Sequence, residues 1–285
     1  MVEMPNSKRL FMLVLALIVT AASLTFAGQD KTFSYDNYAE TLGSYVDANG
    51  MVNYEKLKEN RQKLDKFVTH LAKLDTKVYD KWDDNTKIAF WLNAYNALTL
   101  KAIIDNYPIK PAFLMSAAYP KNSIRQIPGV WKKIKFDVTG KKMSLNHIEH
   151  KILRKNFAEP RIHMAMVCAA MSCPALRNEP FAGKKLDTQL SDQSKRFFAN
   201  QENFKIDREN NTVYISPILK WFAKDFAVLD SGEAPLSHHS KTKSSVLKFI
   251  SLHVEKKDAK YLLAKKFKIK YLKYDWTLNE QSKNE

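Results

Sequence analysis

Glycine is scarce: seven residues, at positions 28, 43, 50, 129, 140, 183 and 232, no two closer than seven apart. That spacing excludes a P-loop and a G-x-G-x-x-G dinucleotide turn, which need several glycines in one loop so that backbone can approach phosphate. Cysteine is scarcer still. Two in 285 residues exclude a four-cysteine zinc site, an iron–sulfur cluster held by one chain and a disulfide-dense scaffold. Only eight of the 46 basic residues are arginine, whereas nucleic-acid readers lean on bidentate arginine, and none of their motifs is present.

Long apolar runs are confined to residues 10–27, behind Lys8 and Arg9 and ahead of the polar Gly28-Gln29-Asp30. A short basic flank, an apolar stretch and small residues at its end predict a secretory signal peptide over 1–27, with an uncleaved anchor as the alternative. The domain proper then spans 28–285, with its core motifs at about 85–230. The mature chain is expected to be exported, periplasmic or secreted, without a transmembrane helix, in a compartment where disulfides form. Glu3, Lys8 and Arg9 together carry +1, so their removal takes the formal charge from +16 to +15. Residues 256–273 hold eight lysines, opposed nearby by Glu255 and Asp258. Lysines spread over solvated faces account for this balance, with attraction to an anionic envelope surface as the functional alternative; the expected partner is an unknown envelope ligand or protein, and not nucleic acid.

The periodicity predicts a single α+β domain, mostly helical with a small sheet. Leu64, Phe67, Val68 and Leu71 recur at i, i+3, i+4 and i+7 in a helical stretch that begins at Tyr54. Asp83, Asp84 and Asn85 offer caps for 88–104, a segment apolar on nearly all sides and so a central buried helix, stopped by Asn106-Tyr107-Pro108. Residues 108–140 read as loop. Ser144 can cap a helix to about Phe157, 162–167 reads as a short strand, and 186–200 as an amphipathic helix. Phe204-Lys-Ile and Val213-Tyr-Ile flank Asp-Arg-Glu-Asn-Asn as a hairpin. Ser216-Pro217 opens a helix through Phe226. Residues 229–243 read as a mobile polar loop, and two short helices precede a closing strand over 269–274.

Candidate chemistry gathers between Arg161 and Arg177. On a 162–167 strand, His163 would point away from Ile162, Met164 and Met166. Cys173-Pro174 has the form of an N-cap followed by a first-position proline, and a thiol at a helix N-terminus is drawn toward thiolate. With His163 as base and Glu149 orienting it, Cys173 would be the nucleophile of a hydrolase or acyltransferase. Asn93 and Asn96, three apart on the buried helix, join His150 and Arg154 as ligand-binding candidates; tying the core together is the competing use of those amides. Cys168 and Cys173 can equally bridge as a disulfide, and a bonded pair has no nucleophile. No metal or cofactor is expected: His163-x4-Cys168-x4-Cys173 is not a usual ligand spacing, and His238-His239 stands without further ligands.

Five separated motifs stand in one order: Trp91-Leu-Asn-Ala-Tyr-Asn-Ala-Leu98; Ile148-Glu-His-Lys-Ile-Leu-Arg154; His163-Met-Ala-Met-Val-Cys168 leading to Ser172-Cys173-Pro174; Trp221 to Phe226; and Tyr274-Asp-Trp-Thr-Leu-Asn279. Together they resemble the DUF547 family of uncharacterised proteins, found among bacterial exported proteins and in plants. The resemblance implies one domain and puts Asn93, Asn96, Glu149, His150, Arg154, His163, Cys168 and Cys173 at signature positions. It implies no activity. Ala169 departs from the pattern, standing where glycine is expected after the first cysteine. The expected function is an exported binding module for an envelope ligand or partner. Its polar pocket would be built from Asn93, Asn96, Glu149, Arg154 and His163 beside the Cys168/Cys173 turn, with the cysteine–histidine enzyme as the alternative.

Overall fold

The helix Asp84–Asn106 organises the fold. Asp83 accepts the Thr86 N–H at 2.7 Å and Asp84 places negative charge in the first turn, so the start is capped by side chain and dipole together. From Ile88 to Ile104 every residue except Lys101 is buried, which is how a helix apolar on all sides must sit in water. The helix ends at Tyr107, which is extended with ψ 141° ahead of Pro108, a residue without the N–H that a further turn would need. Against it pack Tyr54–Glu59, Gln62–Lys73 with Leu64, Phe67 and Leu71 buried, and Leu186–Ala199 with Leu190 buried.

This computed structural model describes residues 33–229 and 239–282. The predicted signal segment, its anchor alternative and most of the predicted 229–243 loop, His238 included, lie outside the described residues. Residues from Tyr35 onward form one unit. Strands β1 (Phe136–Val138) and β2 (Lys141–Met143) pair antiparallel. Strands β3 (Phe204–Asp207) and β4 (Thr212–Ile215) form the predicted hairpin, and β5 (Lys268–Tyr271) joins β4 in parallel. Helices Lys241–Ser251 and Lys256–Ala264 build a hydrophobic core with this sheet and the 3-10 turn Ala223–Leu229, centred on Phe198, Phe226, Phe249 and Ile250. The architecture is a mostly helical α+β fold with small sheets.

Three local expectations are corrected. Residues 162–167 are not a strand: Pro160–Met164 is a 3-10 helix, begun by Pro160 at its first position and by the Glu159 carboxylate accepting the Arg161 N–H at 3.0 Å. A short apolar run suits a buried turn as well as a strand, and here the capping chemistry decides. Cys173-Pro174 opens no helix; the next helical turn is Gly183–Lys185. Side chains hold the backbone between instead: Gln193 donates to the Ala175 carbonyl, Gln189 to that of Pro180, and Asn93 takes both polar groups of Phe181. The predicted 216–226 helix is an α turn, Ile218–Trp221, continued by the Ala223–Leu229 3-10 turn.

After β5 the chain returns as a strap across the 168–173 turn and residues 50–54. Met171 N–H donates to the Thr277 carbonyl at 2.8 Å, Asp275 N–H to the Ser172 hydroxyl at 2.8 Å, and Val52 N–H to the Asn279 carbonyl at 2.9 Å. The Asn279 side chain accepts from the Tyr54 hydroxyl at 2.7 Å and donates to the Gly50 carbonyl at 3.1 Å.

Candidate functional site

A cavity of about 150 Å³ opens between these elements. Its lining comprises Tyr95 of the central helix, Arg125, Trp131, Glu149, His163, Met166, both cysteines, Ile218, Trp221, Phe222, and Tyr274 and Trp276 of the strap. Aromatic rings dominate the wall. Trp276 lies 4.6 Å from Tyr274, 6.1 Å from Trp221 and 6.2 Å from Trp131, centroid to centroid.

Glu149 reaches the cavity from a helix capped by Ser144, whose hydroxyl accepts the His147 N–H at 3.2 Å. That helix is interrupted by a π-helical stretch, Ile148–Leu153, a local widening that recurs at functional sites. The Tyr95 hydroxyl faces the Glu149 carboxyl at 3.4 Å. Burial pushes Glu149 up to about 7, against the Arg154 charge and the Tyr95 hydrogen bond, so at neutral pH it divides between acid and carboxylate. A raised carboxyl stabilises the fold most while protonated: its contribution is full below pH 4.5 and is lost as pH rises through about 7. Glu149→Gln, neutral throughout, should therefore gain on the parent by about 2–3 kcal/mol between pH 4.5 and 8. Paired urea titrations across that range read the difference, and a flat one would mean that Glu149 ionises as it does in water.

His163 is 3% exposed and stacks on Phe222 at 4.1 Å. Its Nε2 lies 2.8 Å from Asp225, whose carboxylate also receives Arg154 through Nε at 2.5 Å and Nη2 at 3.0 Å. Burial pushes Asp225 up, but the hydrogen bonds and charges of His163 and Arg154 outweigh it and hold the carboxyl well below its ordinary range. An ionised carboxylate only accepts, so the His163 proton sits on Nε2. Burial also lowers His163, favouring the neutral ring and leaving Nδ1 a bare acceptor. That Nδ1 is buried and has no partner among the described residues.

The sulfurs of Cys168 and Cys173 lie at disulfide distance, with Cα atoms 6.2 Å apart. The Tyr274 hydroxyl sits 3.3 Å from one sulfur and 3.2 Å from the other. Cys173 thus offers no thiol in this state, and without a helix behind Pro174 it also lacks the dipole expected to activate one. In the turn between the cysteines, Ala169 has φ +59°, a left-handed conformation that costs an alanine strain and a glycine almost none. Ala169→Gly should therefore stabilise by about 0.5–1 kcal/mol, read by urea denaturation, despite the extra chain entropy glycine adds to the unfolded state. A loss of stability would show that the strap, rather than the backbone, sets this conformation.

Of the predicted site residues, the cavity brings together Glu149, His163, Cys168 and Cys173. Asn93 and Asn96 do not line it. Asn93 donates to the Phe181 carbonyl at 2.8 Å and accepts its N–H at 2.9 Å; Asn96 does the same for the Ala165 carbonyl and the Val167 N–H, at 3.0 and 2.9 Å. His150 accepts from Arg154, and Arg154 is spent on Asp225. The predicted polar pocket is corrected accordingly to an aromatic one with two titratable groups in its wall. Tyr95, Trp131, Trp221, Tyr274 and Trp276, with Arg125, join the lining without a signal in the sequence, since residues scattered over 95–276 carry no spacing that marks a common cavity. Among the described residues no three His, Cys, Asp or Glu side chains are placed to hold a metal ion, and no helix is long and apolar enough to cross a membrane.

Residues 79–198 match the family model described as "Protein of unknown function, DUF547", which supports the resemblance to that family drawn from the five motifs. The match covers Tyr95, Arg125, Trp131, Glu149, His163 and both cysteines, while Asp225 and the Trp221, Tyr274 and Trp276 rings lie beyond it. No curated protein and no solved structure matches the chain.

Proposed function

We propose that the protein is an exported binding module whose aromatic pocket takes one ring-sized moiety of an envelope ligand. The observation that carries this reading is His163: it lines a cavity walled by aromatic rings, and its Nδ1 is a buried acceptor without a partner among the described residues. Leaving a buried polar atom unpaired costs about 1–3 kcal/mol, a cost that a ligand hydroxyl or N–H would remove. A cavity near 150 Å³ is about the size that accepts one benzene ring, and the remainder of a larger ligand would project past the half-exposed Trp221. Export rests on the basic flank and apolar run of residues 8–27, and the paired cysteines suit an oxidising compartment.

Benzyl alcohol, a ring with one hydroxyl donor, is the first probe. Titrated into the mature protein, it should change tryptophan fluorescence saturably with Kd of about 1 mM, as expected for so few heavy atoms. Trp221→Ala should abolish the response. No saturation, or full retention in the variant, would overturn the pocket reading. The alternative, a hydrolase or acyltransferase using Cys173 and His163, requires the sulfur to be freed by reduction.

A further inference from the structure

Arg125 is the unused charge of this cavity. It sits in the 3-10 turn Ile124–Gln126, whose start is fixed by the Ser123 hydroxyl accepting the Arg125 N–H at 3.2 Å. Its guanidinium lies over three rings, 4.2 Å from Tyr119, 5.0 Å from Trp276 and 5.3 Å from Trp131. One nitrogen, Nη2, donates to the Tyr119 hydroxyl at 2.5 Å, while Nε is buried without a partner. Among the described residues no carboxylate pairs with it. The contrast with the other arginines is sharp. Among the described residues, Arg61, Arg154, Arg161, Arg177 and Arg208 each hold at least one carboxylate, and Arg196, the remaining exception there, is exposed and donates to a backbone carbonyl. Arg125 is therefore a partly buried cation held in place by aromatic faces, with donors to spare and a cavity in front of it.

We infer that the ligand of this pocket is anionic at one end, and that Arg125 receives its carboxylate or phosphate while the tryptophan and tyrosine rings hold the ring that carries it. This deepens the proposed binding reading and rests on it. The guanidinium fork can pair two donors with two oxygens of a carboxylate or phosphate, and charge-assisted hydrogen bonds are among the stronger contacts a small ligand can make. Two groups act on a bound anion from other elements. Glu149, on the π-helical stretch, opposes it when ionised and not when protonated; the groups acting on Glu149 are Tyr95 of the central helix, Arg154 of its own helix and Asp225. His163 is neutral and presents an acceptor, so it favours a ligand that also carries a hydroxyl or N–H. A hydroxylated ring acid satisfies all three.

The test compares benzoate with benzyl alcohol on the mature protein by tryptophan fluorescence. Benzoate should bind at least tenfold more tightly at pH 6 and weaken toward pH 8 as Glu149 ionises. Arg125→Gln should bring benzoate down to the affinity of benzyl alcohol while benzyl alcohol itself still binds. If that variant does not fold, Arg125→Lys, which keeps charge and loses the planar fork, should still cut the preference severalfold. Equal binding of the two probes by the parent, or a preference that survives loss of Arg125, overturns the anion inference and leaves the aromatic pocket standing. Saturable binding of neither probe overturns the pocket reading and this inference with it.

Discussion

Asn96→Ala is expected to lower stability by about 4 kcal/mol. Its amide satisfies the Ala165 carbonyl and the Val167 N–H, both in the irregular stretch between the His163 turn and Cys168, where no helix or strand supplies another partner. Truncation leaves two buried backbone groups unpaired, at about 1–3 kcal/mol each, and adds a small cavity. Asn93→Ala should behave alike through Phe181. Urea denaturation measures both. A loss below about 1 kcal/mol would mean that the backbone finds other partners and that the amide is free for another role.

Asp225→Ala should cost about 3–4 kcal/mol, because it leaves Arg154 without its bidentate partner and His163 without its anchor in one step. The figure is held below that of a fully buried pair, since the Asp225 side chain is 22% exposed. The same variant carries a second readout that mere destabilisation would not move. In the parent, nitrogen NMR should find His163 as the neutral Nε2–H tautomer at pH 7 to 8; without Asp225 the two tautomers should average, and benzyl alcohol affinity should fall about tenfold. A single tautomer that persists in the variant would show that stacking on Phe222, not the carboxylate, orients the ring.

The fold was more legible than the site. An all-round apolar run behind Asp83 can only be a buried helix, and two β-rich triplets around six polar residues can hardly avoid a hairpin. Residues 162–167 misled because a short apolar run carries no period, and the Glu159–Pro160 start signal lies just outside it. Glu149, His163 and the cysteines were readable because titratable or sulfur-bearing residues in apolar elements must have a reason to be there. The amides of Asn93 and Asn96 looked identical to ligand-binding ones, since what an amide serves is set by which backbone lies opposite it. Arg125 and the tryptophans could not be grouped at all: only the tertiary fold brings residue 276 to residue 131.

That closure has an order in time. The strap carrying Tyr274 and Trp276 is synthesised after every other part of the pocket, yet it is tied to Tyr54 across 225 positions of sequence. Contacts so distant in sequence are entropically late and slow to form. While the chain is still emerging from the ribosome, Arg125 and Trp131 face open water and the 168–173 turn lacks its covering segment. Until residues 54 and 279 have met, the cavity lacks two of its aromatic walls.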